Sequence, residues 1–293
     1  MTIVSLLMLV LLAAGVRVPG AGLARGIASR MLCAAALADG CGDEPALIAT
    51  YGDEVGRLVR RHMPMLAFED GSRALPVDFR RCRSTTCGDG SARGLVHRTD
   101  RNLPVTVFVH VVDCRDDAEG ARGAQNASCS GPRAGNLYIQ YWTYYADSAT
   151  LRGVPVVGRR GYHHDDWEQV GLRFLPDGSV DERASSHGGY NYAQSRANWG
   201  SDAAIGPLKG AAEGVGARRH NGWGPETHIL LVSGGSHAGN ATGFPNFDRV
   251  TPGRRVHLVP LEPIARGAEP YDFAISPPWR KQVWLDPEAE GTG

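Results

Sequence analysis

The feature that most constrains the fold is a series of short runs, from Leu103 onward, rich in β-branched and aromatic residues. Leu103 to Val112 reads LPVTVFVHVV and Leu137 to Tyr145 reads LYIQYWTYY, and such runs are typical of β-strands. Trp167 to Phe174 and Val180 to Ser186 flank a Pro-Asp-Gly turn sequence, which predicts a hairpin. Two more short strands are predicted at His228 to Ser233 and Arg255 to Leu261. The sequence therefore predicts a mainly β protein, an antiparallel β-sandwich with long loops.

One amphipathic helix precedes the strands. Asp43, Glu44 and Pro45 are residue types favoured at a helix N-terminus, and Pro64 ends the pattern. The apolar stripe between them predicts a packing helix, with Leu47, Ile48, Val55, Leu58 and Val59 on its buried side. We divide the chain into a leader at 1–24, an N-terminal helical segment at 25–64, a β-sandwich domain at 65–269 and an irregular C-terminal tail at 270–293.

The first residues predict export. Ile3 to Gly15 is an apolar run of thirteen residues, near the length of a signal-peptide core and shorter than the roughly 20 residues of a spanning helix. Gly22 and Ala24 fit the small-residue positions of a cleavage site. A cleaved signal peptide and an uncleaved membrane anchor both fit. We therefore expect a secreted or membrane-anchored protein whose main domain lies outside the cytoplasm.

Six cysteines agree with an oxidising compartment and predict disulfides. They follow one another as three neighbouring pairs, namely Cys33 and Cys41, Cys82 and Cys87, and Cys114 and Cys129. Pairing of neighbours would close three short loops. It is one of several arrangements that six cysteines allow.

Charge gives no sign of a nucleic-acid partner. The chain has 31 basic and 31 acidic residues, a formal net charge of zero. Bulk electrostatic capture of nucleic acid or of an anionic membrane is therefore not expected.

The stretch GYHHDDWEQVGLRF, residues 161–174, places histidines and carboxylates at the start of an apolar strand. On a strand, Asp166 and Glu168 share a face with the apolar residues that follow, so they project at the rim of the sandwich. His163 has the wrong parity and joins them only if the chain turns before Asp166. Two carboxylates and an imidazole at one rim are costly unless they are paired or bind a cation. Calcium, magnesium or manganese fits such oxygen-rich ligands and zinc fits less well; the alternative is a hydrogen-bonded strand end paired with Arg159 or Arg173.

Residues 163–168, His-His-Asp-Asp-Trp-Glu, resemble an H-x-x-D-W-E signature found in two groups of proteins. One group is the family of necrosis-inducing (ethylene-inducing-like) secreted proteins, and the other is the vacuolar protein sorting-associated protein 62 family. Tyr141 to Asp147 resembles the aromatic strand before the signature in the first family, and Ser186 to Tyr190 resembles the segment after it. Gly235 to Ala238 resembles a late G-S-H-A segment of the second family. The resemblance extends over residues 65–260, and its specific part is the central motif.

The resemblance implies a β-sandwich that holds a divalent cation at one end. The family's metal-ligand positions match His163, Asp166 and Glu168, and Asp147 matches an upstream aspartate ligand. We call these four residues the rim site. Asp165 departs from both signatures, since it replaces a histidine of one and a glycine of the other. For that reason the host-membrane binding and cell killing of the necrosis-inducing family are not transferred to this chain.

The predicted function is binding of a glycan or a lipid headgroup through a metal ion at the rim site, with contact to a membrane surface. The alternative is a metal-dependent hydrolase in which Asp165 or His187 is the base. His187 and His237 each lie near the end of a predicted strand, and either line the rim or hydrogen-bond within a turn. Trp142 and Tyr144 either pack in the core and rim or form a ligand platform.

Overall fold

A computed structural model describes thirteen parts of the chain: 43–69, 72, 74–81, 99, 104–115, 129–148, 163–186, 189–191, 222–233, 235–241, 247–249, 256–269 and 272–290. The predicted leader, the first four cysteines and His187 lie outside the described residues.

The predicted N-terminal helix is confirmed, in two pieces. Helix α1 spans Asp43–Tyr51 and α2 spans Asp53–Arg61. They are separated by Gly52, whose φ of 83° lies in the left-handed region that favours glycine. Leu47, Val55 and Val59 are buried against the sheets. No helix in the described part of the chain combines the length and apolarity needed to cross a bilayer.

The strands account for most of the regular structure, as predicted for a mainly β protein. In chain order they are β1 Met65–Glu69, β2 Val105–Asp113, β3 Leu137–Ser148, β4 His163–Phe174, β5 Val180–Ser186, β6 Gly189–Asn191, β7 Gly224–Pro225, β8 Ile229–Val232, β9 Gly239–Asn240, β10 Phe247–Arg249 and β11 Val256–Pro260. The hairpin of β4 and β5 turns at Pro-Asp-Gly, where Gly178 has a φ of 86°.

The described strands form two sheets. The small sheet has the order β10-β1-β8-β9, and the large sheet has the order β11-β2-β3-β4-β5-β6 with β7 also paired to β5. Both sheets are mixed rather than purely antiparallel, because β8 pairs with β1 and β11 pairs with β2 in parallel. These parallel pairs join strands that are far apart in sequence, as parallel pairing requires, and the pattern within a single strand does not reveal them.

The main core lies between the two sheets, which gives the sandwich-like layering. Apolar residues of β1 and β8 face those of the central strands of the large sheet. The buried set includes Leu66, Phe68, Leu230, Val232, Val107, Val109, Ile139, Tyr141, Val170 and Leu172. Along β3 and β4 the alternating residues therefore face this core on one side only.

A second core lies on the opposite face of the large sheet. The segment 272–290, predicted as part of an irregular tail, carries a 3₁₀ turn at Pro278–Arg280 and a short helix, α3, at Gln282–Leu285. It covers this face of the sheet by packing Phe273, Trp279, Val283 and Trp284 against Phe79, Phe108, Trp142, Tyr144 and Trp167. The large sheet is thus covered on both faces.

A disulfide joins Cys114, just after β2, to Cys129. This is one of the three neighbouring pairs named from the sequence, so disulfide formation is confirmed for that pair. The two cysteines pack beside Tyr138 and Trp223.

Candidate rim site

Strand register brings two halves of the rim site together. Strands β3 and β4 are antiparallel, with Tyr145 opposite Asp166 and Asp147 opposite His164. Asp147, at the end of β3, therefore lies beside the first residues of β4. Asp166 and Glu168 continue the face of Val170, which enters the main core.

A backbone irregularity lets His163 approach the carboxylates. Asp165 has a φ of 58°, in the left-handed region that is uncommon for residues other than glycine. Nε2 of His163 lies 4.0 Å from Oδ1 of Asp166. β4 runs from His163 to Phe174 without interruption, so the irregular backbone at Asp165 stands in place of the turn expected from the sequence. His163 lies at the rim with about a third of its side chain exposed.

His237 meets Asp166 from the loop between β8 and β9. Its Nδ1 lies 2.7 Å from Oδ2 of Asp166, and its ring stacks on Tyr145 with centroids 3.8 Å apart. His237 also has a left-handed φ, of 57°. Its other ring nitrogen, Nε2, is buried and makes no hydrogen bond to the described part of the chain. The carboxylate therefore fixes the orientation of a buried imidazole whose second nitrogen has no partner among those residues.

Glu168 sits in an unusual electrostatic setting. Burial raises the pKa of Glu168 well above its usual value, and the neighbouring Asp166 carboxylate raises it further. A hydrogen bond donated by the Ser185 hydroxyl and the positive charge of Lys281 act in the opposite direction and lower the pKa of Glu168. Burial in turn lowers the pKa of Lys281, whose charge the two carboxylates favour.

Arg173 is one of two arginines expected from the sequence to pair with the rim carboxylates, and it does not pair with them in the structure. Its guanidinium pairs with Asp181 at 2.6 Å and with Glu288 at 3.0 Å, at the opposite end of β4. Arg159 lies outside the described residues. Among the described residues, it is Lys281, from the segment that covers the second core, whose positive charge acts on the carboxylates of Glu168 and Asp166.

The four residues of the rim site lie at one corner of the large sheet, but their ligand atoms do not converge closely enough to surround one ion. Among the described residues, its four members do not supply three ligand atoms within 4.8 Å of one another. Asp166 is turned toward His237 and Glu168 toward Ser185. Closing the set around an ion requires side-chain rotations at this corner.

Asp165, a candidate base, faces away from the rim site. Its Oδ1 accepts a hydrogen bond of 2.7 Å from the hydroxyl of Tyr144, and its Oδ2 accepts one of 2.9 Å from the backbone N–H of Ala274. The side chain is buried on the side of the second core. Trp142 and Tyr144 are also fully buried there, so the structure places all three away from the carboxylates of the rim.

Two neighbours of Glu168, Ser185 and Lys281, could not be predicted from the sequence. Ser185 reaches Glu168 because β5 pairs with β4, and Lys281 arrives from more than a hundred positions further along the chain. Neither lies in a recognisable motif. His237, by contrast, follows Gly-Gly-Ser in the segment that resembles the late G-S-H-A motif, and the structure brings it directly to Asp166.

Comparison with known proteins adds one weak likeness. No protein-family model matches the chain, and no curated protein matches it. A solved structure described as "NLPPya in complex with glucosamine", a necrosis-inducing-like protein, matches with 12% sequence identity and a TM-score of 0.32, over 68% of this chain and 78% of that chain. A TM-score of this size does not establish a common fold, so the family relationship stays a resemblance of motifs.

Proposed function

We propose that the rim site binds a divalent cation and that the bound cation holds a hydroxyl or phosphate group of a glycan or a lipid headgroup. The observation that carries this proposal is the position of Asp166. One of its oxygens faces His163 and the other faces His237, while Asp147 and Glu168 lie at the same end of the sheet.

The charge at this corner favours a cation. Three carboxylates, from Asp147, Asp166 and Glu168, share one end of two adjacent strands, and like charges so close repel one another. Lys281 offsets part of this repulsion. A doubly charged ion would offset more of it, and oxygen-rich ligands with one or two imidazoles suit calcium, magnesium or manganese, with zinc less favoured.

The exposed side of the site is where a ligand would enter. His163 and Glu168 are partly exposed, whereas Asp166 and His237 are buried. Calcium and magnesium sites commonly keep water ligands, which hydroxyls or phosphate oxygens can replace. A glycan or a lipid headgroup would thus be held by the ion, and a lipid would bring the protein to a membrane surface.

The hydrolase alternative has less support. Both oxygens of Asp165 are engaged by Tyr144 and Ala274, and a general base must reach the proton it removes. His187, the other candidate base, lies outside the described residues. No second function is proposed for this site.

The first test is a metal titration followed by thermal unfolding. Wild type with calcium or manganese at about 100 times its Kd should gain about 2.7 kcal/mol, which raises Tm by roughly 5–10 °C for a domain of this size. Asp166→Asn should lose this response. Asp181→Asn is the control, because Asp181 pairs with Arg173 away from the rim. An equal metal response in wild type and Asp166→Asn would contradict the proposal.

The second test concerns the ligand. Metal-loaded and chelator-treated protein are compared for binding to an array of glycans and for sedimentation with vesicles of mixed phospholipid and glycolipid. Binding that requires both the metal and Asp166 supports the proposal. Binding that survives chelation and Asp166→Asn places ligand recognition elsewhere.

A further inference from the structure

A second group of ligand-type side chains lies outside the rim site. Nδ1 of His62 lies 2.9 Å from Oε1 and 3.0 Å from Oε2 of Glu226. Nδ1 of His228 lies 3.1 Å from the same Oε1. One ligand atom from each of the three side chains can be chosen so that all lie within 4.8 Å of one another. Among the described residues, this is the group of histidine, cysteine and acidic side chains that meets such a spacing.

Three separate parts of the fold hold these residues. His62 follows the last residue of α2, and its ring packs edge-on against Phe174 with centroids 4.9 Å apart. Glu226 donates its backbone N–H to the carbonyl of Val180. The carbonyl of His228 accepts a hydrogen bond from Met65 at the start of β1. Each ligand is therefore fixed to a different strand or helix end.

Thr227, which lies between Glu226 and His228 just before β8, is also held in place by hydrogen bonds. Thr227 donates from its backbone N–H and from its hydroxyl to Oε2 of Glu182, which is fully buried. His228 then adopts a left-handed φ of 59°. Residues held in such conformations are concentrated at functional sites, and here the conformation turns the imidazole back toward Glu226.

This group is distant from the rim site. Phe174, which contacts His62, is the last residue of β4, and Asp166 lies eight residues before it. At a rise of about 3.3 Å per residue, the two ends are roughly 26 Å apart. One ion cannot serve both groups.

We propose that His62, Glu226 and His228 form a binding site for a transition-metal ion of the zinc type. Two imidazole nitrogens and one carboxylate oxygen are ligands that zinc and its neighbours accept. Ligand atoms around a tetrahedral zinc ion lie about 3.3 Å apart, given metal–ligand distances of about 2.0–2.1 Å. The observed separations of 2.9 and 3.1 Å need to widen by only a few tenths of an ångström.

Burial shows which side of this site is open. The side chains of His62 and Glu226 are 15% and 8% exposed, whereas that of His228 is 66% exposed. His62 and Glu226 are thus enclosed by the fold, and His228 completes the site on the side that faces solvent. Three protein ligands leave a fourth position, facing solvent, for water or a small anionic group. Without metal, the Nδ1 atoms of both imidazoles lie within hydrogen-bonding distance of the carboxylate, so metal binding at Nδ1 requires each neutral imidazole to carry its proton on Nε2.

The test is a cobalt titration of the full chain with the Cys114–Cys129 disulfide intact, in an Asp166→Asn background so that the rim site does not contribute. Tetrahedral Co²⁺ absorbs visible light and reports on the coordination geometry. We expect one equivalent of bound Co²⁺ that is displaced by Zn²⁺. Titration without a visible band or with no saturable equivalent would overturn the proposal.

Variants identify the ligands. His228→Asn is chosen because His228 is exposed and asparagine tolerates the left-handed conformation, so the fold is kept. Glu226→Gln keeps the shape and removes the charge. Each should weaken Co²⁺ binding by about a hundredfold or more, the upper end of what loss of an outer-shell partner causes. The matched control is His257→Gln, an exposed histidine on β11; wild-type affinity in His228→Asn and Glu226→Gln would refute the site.

Discussion

Asp165 and Asp166 are adjacent in sequence and have opposite environments. Asp166 faces the rim and pairs with His237, whereas Asp165 accepts hydrogen bonds from Tyr144 and Ala274 at the second core. The left-handed backbone at Asp165 accompanies this division. A carboxylate that accepts two hydrogen bonds in a buried position is a structural tie between β4 and the segment 272–290.

Substitution of Asp165 should therefore reduce stability. Asp165→Ala leaves the Tyr144 hydroxyl and the Ala274 N–H without their acceptor, and should cost about 2–4 kcal/mol. Asp165→Asn keeps one acceptor oxygen and tolerates the left-handed φ, so about 1–2 kcal/mol is expected. Urea unfolding measures both. In a double-mutant cycle, Tyr144→Phe should be less costly in the Asp165→Ala background; stability equal to wild type in both Asp165 variants would contradict this role.

Alternation along β4 predicted part of the rim site and missed the rest for a physical reason. It placed Asp166 and Glu168 on the face of Val170, and it required a turn before His163 could join. It could not place Lys281 or Ser185, since their positions depend on how distant segments pack. Whether the four predicted ligands bind an ion stays a prediction.

At the scale of elements, His110 links β2 to the C-terminal segment through β3. Its Nδ1–H donates to Oε1 of Gln140 at 3.2 Å, and Nε2 of Gln140 donates to the carbonyl of Val283 at 2.8 Å. The ring of His110 stacks on Trp284 with centroids 3.5 Å apart. Burial lowers the pKa of His110 to about 4, so the folded protein keeps this imidazole neutral.

This burial predicts a loss of stability in acid. The unfolded chain binds a proton at His110 below about pH 6.5, whereas the folded protein does so only near pH 4. The contribution is complete above pH 6.5 and falls as the pH drops, by about 3 kcal/mol at pH 4. His110→Phe keeps a ring on Trp284 and removes the titration. In urea unfolding at pH 7 and pH 4, the variant should lose about 3 kcal/mol less than wild type; equal losses would show that His110 is protonated without cost.

Element prediction succeeded where a residue pattern is local. The runs at β2, β3, β4, β5, β8 and β11 are predicted to within a few residues, because each is a local run rich in β-branched and aromatic residues. β9 and β10 are too short for such a pattern. The parallel pairings and the break at Gly52 depend on contacts or dihedral angles that composition does not encode.

At the scale of the whole molecule, the large sheet is a middle layer. The small sheet covers one face, and the segment 272–290 covers the other. Arg183 of β5 connects the large sheet to the C-terminal segment. Its guanidinium lies 3.6 Å from the ring centroid of Tyr190 and donates hydrogen bonds to the carbonyls of Pro287 and Ala289. The C-terminal segment thus belongs to the folding unit.

Removal of residues 270–293 should therefore abolish cooperative folding. The deletion uncovers Trp142, Trp167 and Phe108, which are at most 4% exposed, and takes two acceptors from the buried guanidinium of Arg183. We expect weak near-ultraviolet circular dichroism, dye binding to exposed apolar surface and no sharp unfolding transition. Deletion of 291–293 alone is the control. A cooperative transition in the longer deletion would show that the second core is dispensable.

The outermost described strands of the large sheet are short. β11 has five residues and ends in Pro260, and β6 has three. Proline has no N–H to donate, and brief edges offer few unpaired backbone groups to another chain. Edge-to-edge polymerisation of this sheet is consequently disfavoured.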